Sequence, residues 1–204
     1  MRTKGGAGKL AIALAGVLAV AVIFATSSAL AASKFGAKLS RVVDPVGATP
    51  PHRCLPVAGG CTRVGVSYTA TTAVGGNVQA AKSGKIKRIR LIAAHPGNFR
   101  LFLVKLQNLD LALGTGQGKA KRKGPRISYD GNGFTNKPIE HFEVGVKVKR
   151  GEFLAMKSRK TSALQCTPTT VQELFFQPPL GLGGGFVNSA AFGNCQLLVQ
   201  AVVK

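Results

Sequence analysis

The sequence predicts an all-β fold, an antiparallel β-sandwich preceded by an N-terminal hydrophobic signal helix. Three observations point there. Short runs with period-2 apolar alternation recur from residue 61 to the C-terminus. Gly, Pro and Asn-containing turns separate them, and no segment beyond residue 32 carries a helical period. Seven to nine short strands punctuated by turns make a sandwich.

Taken in order, residues 1–31 read as a signal peptide. Arg2, Lys4 and Lys9 form a basic start, and an uncharged apolar run from Leu10 to Ala25 follows. Thr26-Ser27-Ser28 then turns polar ahead of Ala29-Leu30-Ala31, the small-residue pattern that places cleavage before Ala32. A retained anchor is the alternative, because about 20 apolar residues span a bilayer. Either way the domain lies outside the cytoplasm, secreted or held at the surface by an uncleaved segment. Residues 32–52 read as a linker, with Gly36, Gly47 and Thr49-Pro50-Pro51. Residues 53–204 form the sandwich domain.

Within that domain Arg63–Tyr68 alternates around Val64 and Val66. Gly84 opens a strand at Lys85–Ala93, and Pro96-Gly97-Asn98 turns into Phe99–Leu106. There Phe99, Leu101 and Leu103 face one way and Phe102, Val104 and Leu106 the other, so the strand is buried on both faces. Phe142–Lys149 is the clearest alternation: Phe142, Val144, Val146 and Val148 inward, Glu143, Lys147 and Lys149 outward. Arg150-Gly151 turns into Phe153–Met156. Val171–Gln177 ends at Pro178-Pro179, the glycine-rich loop Gly181–Gly185 follows, and Cys195–Val203 closes the chain as one strand.

The order of these motifs resembles a known group. Ser83-Gly84-Lys85-Ile86-Lys87-Arg88-Ile89-Arg90 is similar to a G-x-I-x-x-φ-x-φ opening strand. Val146–Leu154 is similar to a V-x-V-x-x-G-D-x-L hairpin, with Glu152 where that pattern has Asp. Phe175-Phe176-Gln177-Pro178-Pro179 and the Leu197–Val203 strand follow in the same order. The pattern, over residues 53–204, resembles the jelly-roll-like domains of exported actinobacterial proteins. The resemblance implies a jelly-roll or galactose-binding-like sandwich and no particular activity.

Charge bounds the function. The chain has 28 Lys plus Arg against 7 Asp plus Glu, a net +21, and +18 once Arg2, Lys4 and Lys9 are removed. For an exported protein the matching polyanions are acidic wall polymers, acidic glycans, anionic lipid surfaces and shed DNA. The densest cluster is Lys119, Lys121, Lys123, Arg122 and Arg126, which Gly114, Gly116 and Pro125 make a loop between strands. Those five cations are the candidate polyanion-binding residues, against the plainer reading of a solvated, self-repelling loop. Lys82, Lys85, Lys87, Arg88, Arg90, Lys147, Lys149 and Arg150 form secondary groups. With no Trp and only Tyr68 and Tyr129, a stacking platform for neutral sugars or single-stranded nucleic acid is disfavoured, and no specific nucleic acid is expected.

Cys54, Cys61, Cys166 and Cys195 all lie in the exported part. An even count there reads as two disulfides, and of the three pairings Cys54–Cys61 with Cys166–Cys195 is favoured. The second would contribute about 3 kcal/mol by loop entropy. No C-x2-C pair indicates zinc. Asp130-Gly131-Asn132-Gly133 reads as a hairpin turn rather than a calcium loop. His52, His95 and His141 are dispersed, and Glu140 and His141 face opposite sides of a strand, so neither catalysis, metal nor cofactor is expected. The expectation is a non-catalytic binding module, with a self-associating envelope protein or a hydrolase without recognisable motifs as alternatives.

Overall fold

The structure is a computed structural model. It describes residues 32–39, 60–66, 77–133, 135, 138–161, 163 and 171–204, and the backbone alone of 52–53 and 164–166. The signal segment and its cleavage site lie outside the described residues. Among these there is no helix and therefore none long and apolar enough to cross a membrane.

Fifteen strands, numbered β1 to β15 in chain order, form two main antiparallel sheets. The smaller runs β1 (Ser33–Gly36), β15 (Val199–Val203), β4 (Gly84–Leu91), β7 (Glu140–Val148). The larger runs β12 (Val187–Asn188), β6 (Thr115–Tyr129), β5 (Gly97–Asp110), β8 (Phe153–Ser158), β3 (Cys61–Gly65), β11 (Glu173–Phe176), β13 (Ala191–Gly193). Two short ribbons flank them: β10 (Leu164–Cys166) with β14 (Cys195–Leu197), and β2 (His52–Arg53) with β9 (Lys160–Thr161).

The core sits between the two sheets, as period-2 alternation requires. Ile86, Ile89, Val148, Val199, Ala201 and Val203 of the smaller sheet pack with Phe99, Leu101, Leu103, Leu154 and Met156 of the larger. Phe142, Val144 and Val146 join them while His141, Glu143 and Lys147 stay exposed, which is the alternation expected of β7.

A second core lies on the opposite face of the larger sheet: Val64, Phe102, Val104, Ala155, Leu174, Phe176 and Leu180. The double-sided burial predicted for Phe99–Leu106 follows from this. The sheet curls so that β11 approaches β6. A Cβ on Gly118 would stand 2.5 Å from the Phe176 ring, and one on Gly116 would stand 2.9 Å from Leu174. The β12–β13 segment bridges the gap, pairing with β6 on one side and β11 on the other. Ser189 N–H donates to the Gly116 carbonyl and Ala190 N–H to that of Phe175, each at 2.8 Å.

Four expectations are corrected. Ser33–Gly36, read as linker, is an edge strand paired with β15, and Phe35 is buried in the main core. Cys195–Val203 is two strands, because the chain changes partners at Leu198, from β10 to β1 and β4, while Leu197, Val199, Ala201 and Val203 keep the expected common face. Asp130–Gly133 joins β6 to β7 across the two sheets and is not a hairpin, although Gly131 has the positive φ (+80°) that Asp-Gly foretells. The Val146–Leu154 motif likewise crosses between sheets instead of folding into a hairpin.

Candidate functional site

The fifth correction concerns the cationic cluster. Residues 119–126 are not a loop; they are the middle of β6, a strand of 15 residues paired along β5. The glycine and proline are accommodated by bulges. Val104 opposes Ala120 and Leu103 opposes Arg122, so Lys121 is the extra residue of one bulge. Arg100 opposes Arg126 and Phe102 opposes Lys123, leaving Gly124 and Pro125 opposite Leu101. Proline is tolerated there because a bulged position has no ladder hydrogen bond to lose.

The two bulges divide the five predicted residues. Lys119 lies opposite Lys105, and Lys121 is exposed. Arg122 shares the Leu103 face, where its guanidinium donates to Glu152 Oε1. Glu152 is buried in the β7–β8 turn, and its other oxygen accepts Lys149 N–H at 2.8 Å. Arg122 is therefore a tie between the sheets. Lys123 and Arg126 return to the curled face and enter a cavity.

That cavity, of about 810 Å³, opens at the end of the curl. Its floor includes Phe102 and Leu180, both 4% exposed and part of the second core. Arg100, Lys123, Arg126, Lys157, Arg159 and Lys160 line it, with no Asp or Glu among the described residues of the lining. Leu180, Gly181 and Leu182 of the glycine-rich segment close one side, held by a parallel bridge from Leu182 to Ala120. Sequence reading missed Arg100 and the Lys157–Lys160 group. The signal available was Arg100 itself, a charge breaking an otherwise apolar strand, but its neighbours come from strand order.

Register aligns the charges. Arg126, Arg100 and Lys157 stand directly opposite one another across β6, β5 and β8. Like charges in opposed positions destabilise a sheet, so this row has a standing repulsion that an anion would relieve. Arg100 uses one donor on the Gly124 carbonyl at 3.4 Å.

The described acids are mostly engaged elsewhere. Asp110 Oδ1 accepts the Ala112 and Leu113 amides at the β5–β6 turn. Glu143 pairs with Arg88 at 2.6 Å on the exposed face of the smaller sheet, and Glu173 pairs with Arg63 at 2.9 Å in the interior. Glu140 accepts the amides of Asp130, Gly131 and Asn132. The Asp-Gly-Asn turn is thus a nest for a carboxylate of the same chain, and Glu140 points away from His141. Burial and the nearby Arg90 and Arg88 lower the His141 pKa, with Glu143 opposing.

The secondary cations behave differently. Lys85 opposes Lys147 on β4 and β7, while Arg90 donates to Gln200 Oε1 at 2.7 Å. This face also includes Glu143, paired with Arg88. No group of His, Cys, Asp and Glu among the described residues could hold a metal. Cys61 and Cys195 are disulfide-bonded; the side chains of Cys54 and Cys166 lie outside the described residues. Comparison with known protein families, curated proteins and solved structures gives no match.

Proposed function

We propose that this is an exported, non-catalytic jelly-roll protein that binds polyanionic envelope or extracellular polymers electrostatically, through the cavity at the end of the curled sheet. One observation carries the reading: six Lys and Arg side chains line a single concavity with no acid among its described lining residues. Surface cations are ordinarily interspersed with acids, and a one-sign concavity concentrates field and draws counter-ions. Strand order supports the jelly-roll class. Strands β1, β15, β4, β7 face β3, β8, β5, β6, with successive main strands crossing as two interlocked Greek keys do. Strands β9 to β14 are then an insertion before the last strand, and they supply part of the cavity. Cross-strand placement of Cys166 opposite Cys195 supports the pairing Cys166–Cys195, and with it Cys54–Cys61.

The test is retention of the purified protein on immobilised polyphosphate, acidic glycan, duplex DNA and neutral glycan over a salt gradient. Binding should fall steeply with salt on the polyanions and be absent on the neutral glycan. Lys123→Ser/Arg126→Ser should elute at markedly lower salt than Lys119→Ser/Lys121→Ser, although both remove the same charge. Equal losses would assign binding to net charge and overturn the cavity. No retention at low salt would overturn the function.

A further inference from the structure

The geometry points to a narrower ligand: a compact group of two or more closely spaced phosphates, entering the cavity end-on. This rests on the polyanion reading above and deepens it. Cations reach the cavity from adjacent strands of the curled sheet, Arg100 from β5, Lys123 and Arg126 from β6 and Lys157 from β8, with Arg159 and Lys160 just beyond β8. A carboxylate is planar and offers its two oxygens toward one side. A phosphoryl group offers three acceptor oxygens radially, so one group can be held by cations on several adjacent strands at once.

Charge density agrees with direction. Six cations share about 810 Å³, and the in-register row Arg126–Arg100–Lys157 places three of them on adjacent strands. A terminal phosphate carries about −1.5 to −2 near neutrality and each bridging phosphate of a chain about −1, so a few adjacent phosphates offset most of the positive charge within that space. An acidic glycan, with a single carboxylate on each bulky ring, delivers less charge to the same volume. Arg and Lys together suit this chemistry, the guanidinium as a fork and the ammonium as a point charge.

Shape sets the mode of entry. The floor includes Phe102 and Leu180, which belong to the packed second core, so a polymer cannot thread through. An end group, or a free oligophosphate, fits; an internal stretch of chain would lie across the mouth and leave the half-buried Arg100 and Lys157 unreached. Arg100 and Lys157 are the half-buried members of the set, whereas Lys123, Arg126, Arg159 and Lys160 are exposed at the rim.

The experiment is calorimetric titration of the full chain at physiological ionic strength with tripolyphosphate, inorganic phosphate, long-chain polyphosphate and mellitate. Mellitate, a benzene ring with a carboxylate on every carbon, supplies high charge without phosphorus. Tripolyphosphate should bind with one-to-one stoichiometry and at least roughly tenfold more tightly than mellitate, as expected of geometric rather than purely coulombic recognition. Lys123→Ser/Arg126→Ser should weaken it by about tenfold or more, and Lys119→Ser/Lys121→Ser by less than about twofold. The melting temperatures of both variants, read alongside, show that each is folded.

Equal affinity for mellitate would overturn phosphate selectivity and leave the polyanion function standing. Binding of long polyphosphate without tripolyphosphate would overturn end-on entry. Absence of binding to every anion, together with no retention on polyanion columns at low salt, would remove the underlying function as well. A free oligophosphate and a polymer terminus are separated by stoichiometry: one protein per tripolyphosphate, against at most two per unbranched polyphosphate chain for terminus binding.

Discussion

At the scale of single residues, the buried pair of Arg63 and Glu173 is the clearest case of chemistry under constraint. Both side chains are almost wholly buried, bonded at 2.9 Å, and the Arg63 guanidinium lies 4.5 Å from the centre of the Phe175 ring. Desolvation pushes the Glu173 carboxyl up to about 7, with Arg63 opposing the shift. An unfolded glutamate titrates near 4.5, so the native state holds this proton to higher pH than the unfolded chain does. The stability it contributes is full below that value and is lost as pH rises toward 7, after which the dependence is flat. Denaturant midpoints of the wild type should fall from pH 5 to pH 8 relative to Glu173→Gln. Parallel profiles would show that the carboxyl does not titrate in this window. Arg63→Met should cost about 3–5 kcal/mol at pH 8, where it leaves a buried carboxylate alone, and less at pH 5, where the carboxyl takes up a proton. Nothing in the linear sequence marks this pair: Arg63 and Glu173 meet only because β3 and β11 are neighbours.

At the scale of elements, closure of the larger sheet combines the β12–β13 bridge with small-residue contacts between β6 and β11. The β6 residues Gly116, Gly118 and Ala120 are buried on the curled face, and β11 answers with Leu174 and Phe176. A methyl on Gly118 would come within 2.5 Å of the Phe176 ring. Gly118→Ala should therefore destabilise the protein by about 1–3 kcal/mol, the usual cost of overpacking a core. Phe176→Leu, itself destabilising, should recover part of that loss in the double variant. Additive losses in a double-mutant cycle would separate the two positions and refute closure by this contact. The same element shows where sequence reading succeeds and fails. Alternation in Phe142–Val148 was legible because an amphipathic strand writes its two faces into adjacent residues. In 115–126 the same period is hidden, since glycine is apolar only by omission and lysine tolerates either face. Two bulges then shift the phase twice within seven residues of β6, from Ala120 to Arg126. Of the candidate site, Lys123 and Arg126 could be found from charge density, whereas Arg100, Lys157, Arg159 and Lys160 required the order β6-β5-β8. Strand order is set by long-range packing, which no local pattern encodes.

At the scale of the whole molecule, charge imbalance sets how stability responds to solution conditions. The chain carries +21, with 28 Lys plus Arg against 7 Asp plus Glu, so cation–cation pairs outnumber ion pairs within a Debye length. That length is about 10 Å at 0.1 M salt and about 30 Å at 0.01 M. Self-repulsion across the molecule is therefore strongest at low salt, and it acts against the compact state. The few ion pairs work in the opposite sense. Arg88–Glu143 is exposed and weakens with salt, while Arg63–Glu173 is buried and largely insensitive to it. Repulsion outnumbers attraction, so the melting temperature should rise as sodium chloride is raised from low to moderate concentration. A fall would mean that ion pairs outweigh the repulsion. The cavity adds a second, separable response. Neutralising a clustered row requires an anion that stays bound, and a ligand that binds only the native state stabilises by RT ln(1 + [L]/Kd). At equal ionic strength, tripolyphosphate should raise the melting temperature well beyond sodium chloride. In Lys123→Ser/Arg126→Ser that excess should shrink while the sodium chloride response persists. Loss of both responses together would mean that the cavity cations and the molecule at large respond as one diffuse charge, without a site.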